Sequence, residues 1–122
     1  EDVWHTDEAS LQMTNGVVVD GVMYGLSHLN SGQYFAADMD NGVVLCTSPG
    51  RQAENAAIVA AGNTIFSIQD DAEMVVLSAS RTEFDAVQRY EIATSETWAQ
   101  PAISGDRMFV KDVTRLTLWT LD

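Results

Sequence analysis

A chain of 122 residues with 46% hydrophobic content falls within the range of one domain and has enough apolar side chains for a core, which excludes a disordered chain. Eighteen acidic residues against six basic ones give a formal charge of -12, which repels nucleic acid and anionic lipid and leaves no basic stripe for either. The one cysteine, Cys46, excludes an intramolecular disulfide and a cysteine-built zinc cluster.

In chain order, the first strand candidate is Asp2-Val3-Trp4-His5-Thr6, in a chain that opens at Glu1 with no signal-like segment, as a trimmed start would. No apolar run approaches membrane-span length, so no membrane insertion is expected. Asn15 to Tyr24 then reads as a strand, a tight Asp20-Gly21 turn and a second strand, the signature of a short hairpin. A third strand follows at Gln33 to Asp38 and a fourth at Val43 to Thr47. The pattern begins again with a hairpin over Ala57 to Phe66, a third strand at Met74 to Ala79 and a fourth at Val87 to Ile92. It begins once more with a hairpin over Pro101 to Phe109 and a third strand at Leu116 to Leu121.

The aromatic residue after each hairpin turn marks the register. Tyr24, Phe66 and Phe109 stand 42 and 43 residues apart, a spacing that fits a four-stranded propeller blade. The expected fold is an all-β propeller with three four-stranded antiparallel blades: blade 1 over about residues 10–48, blade 2 over about 54–93 and blade 3 over about 98–122. The third repeat shows only three strands, because the sequence stops at Asp122, read as the counterpart of Asp38. Residues 2–6 supply the missing one: Trp4 lies 42 residues before Cys46, so this N-terminal strand is expected to complete the last blade of a ring.

The run from Tyr34 to Cys46, Tyr-Phe-Ala-Ala-Asp-Met-Asp-Asn-Gly-Val-Val-Leu-Cys, resembles the quinoprotein-type (PQQ-like) propeller repeat. That pattern is an aromatic residue, Ala-x-Asp-x-x-Thr-Gly, a hydrophobic pair and Trp. Asn41 stands in place of the Thr and Cys46 in place of the Trp, so the tryptophan-docking contact of the family is weakened in this blade, while Trp4 keeps it. The closing stretch from Trp98 through Lys111-Asp112 to Leu121 is similar to the C-terminal blade of bacterial PQQ-like repeat proteins. The second repeat departs from the pattern, with Ser78-Ala79-Ser80 in place of the turn. The resemblance implies a periplasmic or extracellular location and, in enzymatic members, PQQ held beside a calcium ion.

Three blades fall short of the roughly four to eight of closed propellers, so the outer faces of blades 1 and 3 are expected to seek partners. A homodimer forming a six-bladed ring is the economical solution, with Trp4, Val3 and Trp119 at the closure. The remainder of a longer propeller chain is the alternative.

Each chemical candidate has a structural reading beside it. Asp38, Asp40, Asn41 and Gly42 suggest a calcium loop, but they lack the further ligands of an EF-hand and read better as a turn. Asp70, Asp71 and Glu73 read as a solvated hairpin tip, with metal binding the alternative. His5 and His28 have no partner at ligand spacing. Ser27 and His28 are adjacent on a strand and point to opposite faces, which excludes them as a nucleophile and base. Cys46 is expected to be a packed thiol. Trp98, which has no aromatic equivalent in the other repeats, is the candidate for a rim contact with a ligand. Two functions follow: a non-catalytic scaffold or binding module for a protein or saccharide, and part of a PQQ-dependent dehydrogenase. Against the second, the chain lacks the adjacent cysteine pair of alcohol-oxidising members and a clear Glu, Asn and Asp set for calcium.

Overall fold

The computed structural model describes residues 1–84 and 86–121, with the backbone alone for residues 86 and 87. It is built of antiparallel sheets in sequence order. The first has the order β1 (Val17–Val19), β2 (Val22–Ser27), β3 (Gln33–Asp38), β4 (Val44–Thr47). The second repeats it with β5 (Ala56–Ala61), β6 (Thr64–Gln69), β7 (Glu73–Ser78), β8 (Ala86–Glu91). The third has β9 (Ala102–Ser104), β10 (Arg107–Lys111) and β11 (Leu116–Thr120). These are the meanders of three successive propeller blades.

The ladder registers confirm the repeat. Tyr24 pairs with Ala36, Phe66 with Val76 and Phe109 with Leu118. The first hairpin turns at Asp20 and Gly21, both with positive φ (50° and 76°), the twist that matches flanking strands. In both four-stranded sheets the pairing of the last two strands shifts by one residue at the same place, after Ala36 and after Val76. Such a bulge deepens the local twist, and its recurrence shows that the degenerate second repeat keeps the geometry of the first. The same pairing corrects one equivalence drawn from the sequence. Thr120, which pairs with Arg107, stands where Asp38 pairs with Val22; the counterpart of Asp38 is therefore Thr120 and not Asp122. The connection between β10 and β11 is shorter than the one between β2 and β3, and counting along the sequence could not see that.

Alternation along the strands sends side chains to opposite faces of each sheet, and the core lies between sheets. Val22, Tyr24, Leu26, Tyr34 and Ala36 of the first meet Ile58, Ile65, Val75 and Leu77 of the second. Ala57, Ile68 and Met74 on the other face of the second sheet meet Met108 and Val110 of the third. Each Val, Leu, Ile or Met fully buried in this way contributes roughly 1.5–3 kcal/mol.

The two outward faces differ. On the first sheet, the face away from the second is partly covered by the chain's own N-terminal segment: a Cβ at Gly25 would come within 3.0 Å of Leu11 and 3.1 Å of Phe35. On the third sheet, Phe109, Leu116 and Leu118 lie on the face opposite Met108. Leu116 is 69% exposed and Leu118 48%. Residues 2–6 form no strand within the chain and do not pair with β11, so the third sheet has three strands among the described residues.

Candidate functional site

The turn between β3 and β4 uses its acidic residues for backbone geometry. Asp38 accepts the Asp40 N–H at 2.8 Å, and Asn41 accepts the Val43 N–H at 2.9 Å. The second Asp38 oxygen meets the Arg81 guanidinium of the next blade at 2.6 Å. The Asp40 amide and then Arg81 hold the Asp38 carboxyl below the usual aspartate range. A carboxylate so committed is a joint between blades rather than an open metal ligand.

The acidic group between β6 and β7 divides its work. Asp70 accepts the N–H groups of Glu54 and Asn55, at 3.2 and 3.0 Å, and so fixes the entry into β5. Asp71 accepts the Glu73 N–H at 3.2 Å. Partial burial, with the nearby Glu73 and Asp70 charges adding to it, raises its carboxyl above the ordinary value. Arg89 spans Glu73 at 3.1 Å and Gln52 at 2.7 Å. Beside them a shallow polar cleft of about 470 Å³ is edged by Asp71, Glu73, Arg89, Glu91 and Glu96. Among the described residues no three His, Cys, Asp or Glu side chains gather as a metal would require.

Ser27 is buried, and its hydroxyl accepts the N–H groups of Ser10 and Leu29 at 3.0 and 3.2 Å. His28 is exposed and turned to the Ser10 carbonyl, which its Nδ1 reaches at 3.1 Å. The pair is a clasp on the incoming chain and not a nucleophile with its base. His5 is exposed. Cys46 is half-buried at the edge of the first inter-sheet core, where burial and the Glu83 charge push its thiol up, away from the reactive thiolate.

The three tryptophans occupy different places. Trp4 is docked on the β3–β4 turn of blade 1: its indole N–H donates to the Met39 carbonyl at 2.8 Å. Its ring covers Gly42, where an added Cβ would lie 2.4 Å from Trp4 Cε3. Val3 beside it is 87% exposed. Trp119 on β11 donates to the Ile92 carbonyl at 3.2 Å and forms one wall of a cleft of about 720 Å³ between the second and third sheets. Trp98 is exposed on the connection into blade 3, with its N–H on Glu96 at 3.0 Å. Trp4, Val3 and Trp119 are thus not brought together within one chain.

Two features of the first inter-blade junction have no signal in the sequence pattern. One is a buried polar chain, in which Tyr34 Oη meets Ser67 Oγ at 2.7 Å and accepts from Gln69 Nε2 at 2.8 Å. The other is Phe84, from the connection between β7 and β8, whose ring stands edge-on to Tyr24 (6.4 Å between centroids) and tilted over Tyr34 (6.2 Å). Paired residues on facing strands can be found by alternation; a plug delivered by a loop cannot.

No family model matches the chain, and no curated protein matches its sequence. Solved structures do. The computationally designed Ika8 protein is similar over 87% of this chain and 32% of its own, with a TM-score of 0.68 and 17% identity. BamB from Moraxella catarrhalis is similar over 88% of this chain and 34% of its own, with a TM-score of 0.63 and 14% identity. The designed Ika4 protein matches over 100% of this chain and 99% of its own, with a TM-score of 0.63 and 10% identity. The chain spans about a third of the length of the first two. These likenesses show the β-propeller fold.

Proposed function

We propose that the chain is a non-catalytic scaffold of quinoprotein-type repeats that closes a six-bladed ring with a second copy and binds a protein or saccharide through the loops of one face. The observation that carries the reading is the third sheet, where the open edge of β11 lies beside an uncovered apolar face bearing Phe109, Leu116 and Leu118. Its counterpart on the first sheet carries the exposed Val18 and, beyond it, the docked Trp4. Burying even a few hundred Å² of such a surface favours association by several kcal/mol, at about 25 cal/mol per Å², before the entropy of association is subtracted. Two copies related by a two-fold axis use both faces and leave none to propagate a fibre. Residues 2–6 of each copy would lie along the other's β11, with Val3 and Trp4 at the junction and Trp119 on the strand they pair with. Trp98, 44% exposed, belongs to the rim that would meet a ligand. A periplasmic or extracellular location belongs to the same reading.

Light scattering after size exclusion tests the assembly. Twice the chain mass is expected, falling to the chain mass when residues 1–6 are deleted. A stable monomer of the intact chain would overturn self-closure; a dimer unaffected by the deletion would overturn the exchanged strand alone.

A further inference from the structure

In an Asn-Gly pair the carboxamide is open to attack by the next backbone nitrogen, because glycine has no Cβ to hinder the approach. The chain carries this pair at Asn15-Gly16 and at Asn41-Gly42, and the fold treats the two in opposite ways.

Asn41-Gly42 is held. The Asn41 Oδ1 accepts the Val43 N–H at 2.9 Å, the Gly42 N–H donates to the Asp38 carbonyl at 2.8 Å, and Gly42 is buried under the Trp4 ring. The attacking nitrogen is bonded to an acceptor, and the carboxamide is tied by its oxygen.

Asn15-Gly16 leads into β1, which pairs with β2 on one side and has its other edge free. Along an antiparallel pair, residues that bond across to the partner strand alternate with residues whose N–H and C=O point away from it. In the second sheet the Asp70 N–H donates to the Asn55 carbonyl, so Ile58, three positions on, points its N–H and C=O to the free edge of β5. Val17 pairs with Tyr24 as Val59 pairs with Phe66, which makes Gly16 the counterpart of Ile58, aimed the same way. The Ile58 carbonyl accepts Asn15 Nδ2 at 3.2 Å and Gln100 Nε2 at 3.4 Å, one from each neighbouring blade. The N–H groups of Ile58 and Gly16 have no partner among the described residues. Ile58 has a blade on either side, so an N–H left free here belongs to the inner edge of a blade, whatever precedes blade 1. Asn15 is exposed and bonded only through its nitrogen, which leaves its carbonyl carbon untied.

We propose that Asn15 is a site of spontaneous deamidation, and that the reaction undoes the Asn15–Ile58 bond between blades 1 and 2. The Gly16 nitrogen attacks Asn15 Cγ, the Cγ–Nδ2 bond breaks, and Nδ2 leaves as ammonia with the proton that Gly16 gives up. Water then opens the cyclic imide at one carbonyl or the other, and the product at position 15 is aspartate or isoaspartate. Either product sets a carboxylate against the Ile58 carbonyl where a donor stood. Water is the only co-reactant, and neither a second copy nor a ligand takes part.

The intact protein is held in mildly alkaline buffer, sampled over time and digested at acid pH, and mass spectrometry with fragmentation locates the gain of one mass unit. A urea-unfolded sample, in which both pairs are free, is the reference. Folded Asn15 is expected to react within about threefold of its unfolded rate, and folded Asn41 about tenfold or more below its own. Gly16→Ala, whose Cβ would lie 3.1 Å from the flexible Met23 side chain, is expected to slow Asn15 about tenfold with circular dichroism unchanged. Should the added Cβ unfold the chain, Asn15→Gln gives the same block, since the longer side chain cannot close that ring. Asn15→Asp, the product made directly, is expected to lower the urea midpoint at unchanged slope. Equal protection of the two pairs, reaction at Asn41 ahead of Asn15, an Asn15 inert while the unfolded chain reacts, or an unslowed Asn15 in folded Gly16→Ala would each overturn the site. An Asn15→Asp variant with the parent's midpoint would overturn its effect on the junction.

Discussion

Phe84→Ala removes a side chain that belongs to no strand yet sits between the first two blades. Truncating a fully buried phenylalanine costs about 3–5 kcal/mol. Phe84 is half-buried, so about half of that, ~2 kcal/mol, is expected, a figure that already contains its contacts with Tyr24 and Tyr34. Urea unfolding at fixed protein concentration, followed by circular dichroism, reads this as a lower midpoint at unchanged slope. In a thermal scan the same loss is a fall of about 6–10 °C for a domain of this size. Phe84→Leu keeps most of the apolar volume and loses the ring geometry, so its cost is expected to be less than half as large. A loss below about 0.5 kcal/mol for the alanine variant, the range of ordinary surface substitutions, would refute the argument. It would mean that the strand side chains hold the junction by themselves.

Gly42→Ala places a Cβ 2.4 Å from Trp4 Cε3 at a backbone φ of +74°. A loss of about 1–3 kcal/mol and a red-shifted tryptophan emission are expected, and unchanged emission would show that Trp4 is not seated there. Tyr34→Phe deletes the hydroxyl shared by Ser67 and Gln69 and leaves buried polar groups unpaired. About 1–3 kcal/mol should be lost in urea unfolding, and a neutral result would imply that water replaces the hydroxyl. The carboxyls of Asp38 and Asp112 are held low by amide hydrogen bonds, first those of Asp40 and Thr114 respectively, so their pKa is lower folded than unfolded. Their contribution is present above the unfolded value and is lost as pH falls through the folded one: the urea midpoint should drop below about pH 4, and less steeply in the double Asn variant. Asp71 has the opposite sign, raised by burial first, with the Glu73 and Asp70 charges adding to it, so its charge opposes folding at neutral pH. Asp71→Asn keeps an acceptor for the Glu73 amide and should raise stability at pH 7 by up to about 0.5 kcal/mol, a gain that disappears below about pH 4.

The strands were legible because their information is local. Alternating apolar residues, Gly-containing turns and an aromatic after each turn place β1 to β11 close to where the ladders put them. Even the second repeat, without an Asp-x-x-Thr-Gly turn, has the bulge and pairing of the first, since β-branched and aliphatic residues suffice for a ladder. The resemblance had Trp4 keep a tryptophan-docking contact without naming its partner; the ring lies on the turn that bears Gly42. What escaped were contacts whose sequence separation follows no period. Phe84 comes from an irregular loop, and Gln69 looks like the end of an amphipathic strand until its amide is found donating to Tyr34, 35 residues away. The equivalence of Asp122 with Asp38 failed for a related reason, because turn lengths differ among repeats while ladder pairing does not.

The two junctions within the chain rest on the same ladder pairing and are packed differently, and the difference separates what the fold requires from what it leaves free. Before blade 1, an indole covers the glycine of the β3–β4 turn. Between blades 1 and 2, a phenylalanine ring closes the space, and the Arg81–Asp38 pair spans the edge beside it. Arg81 is 53% exposed, so this pair contributes at most about 1 kcal/mol and orients the junction more than it holds it. Between blades 2 and 3, Trp119 lines a wall of the cleft and two methionines back it. Backbone ladders fix where each junction lies, whatever side chains they carry, while packing demands an apolar volume of roughly the right size and not one particular residue. The junctions can therefore diverge in their side chains while the sheets keep their register, as the matching bulges after Ala36 and Val76 show.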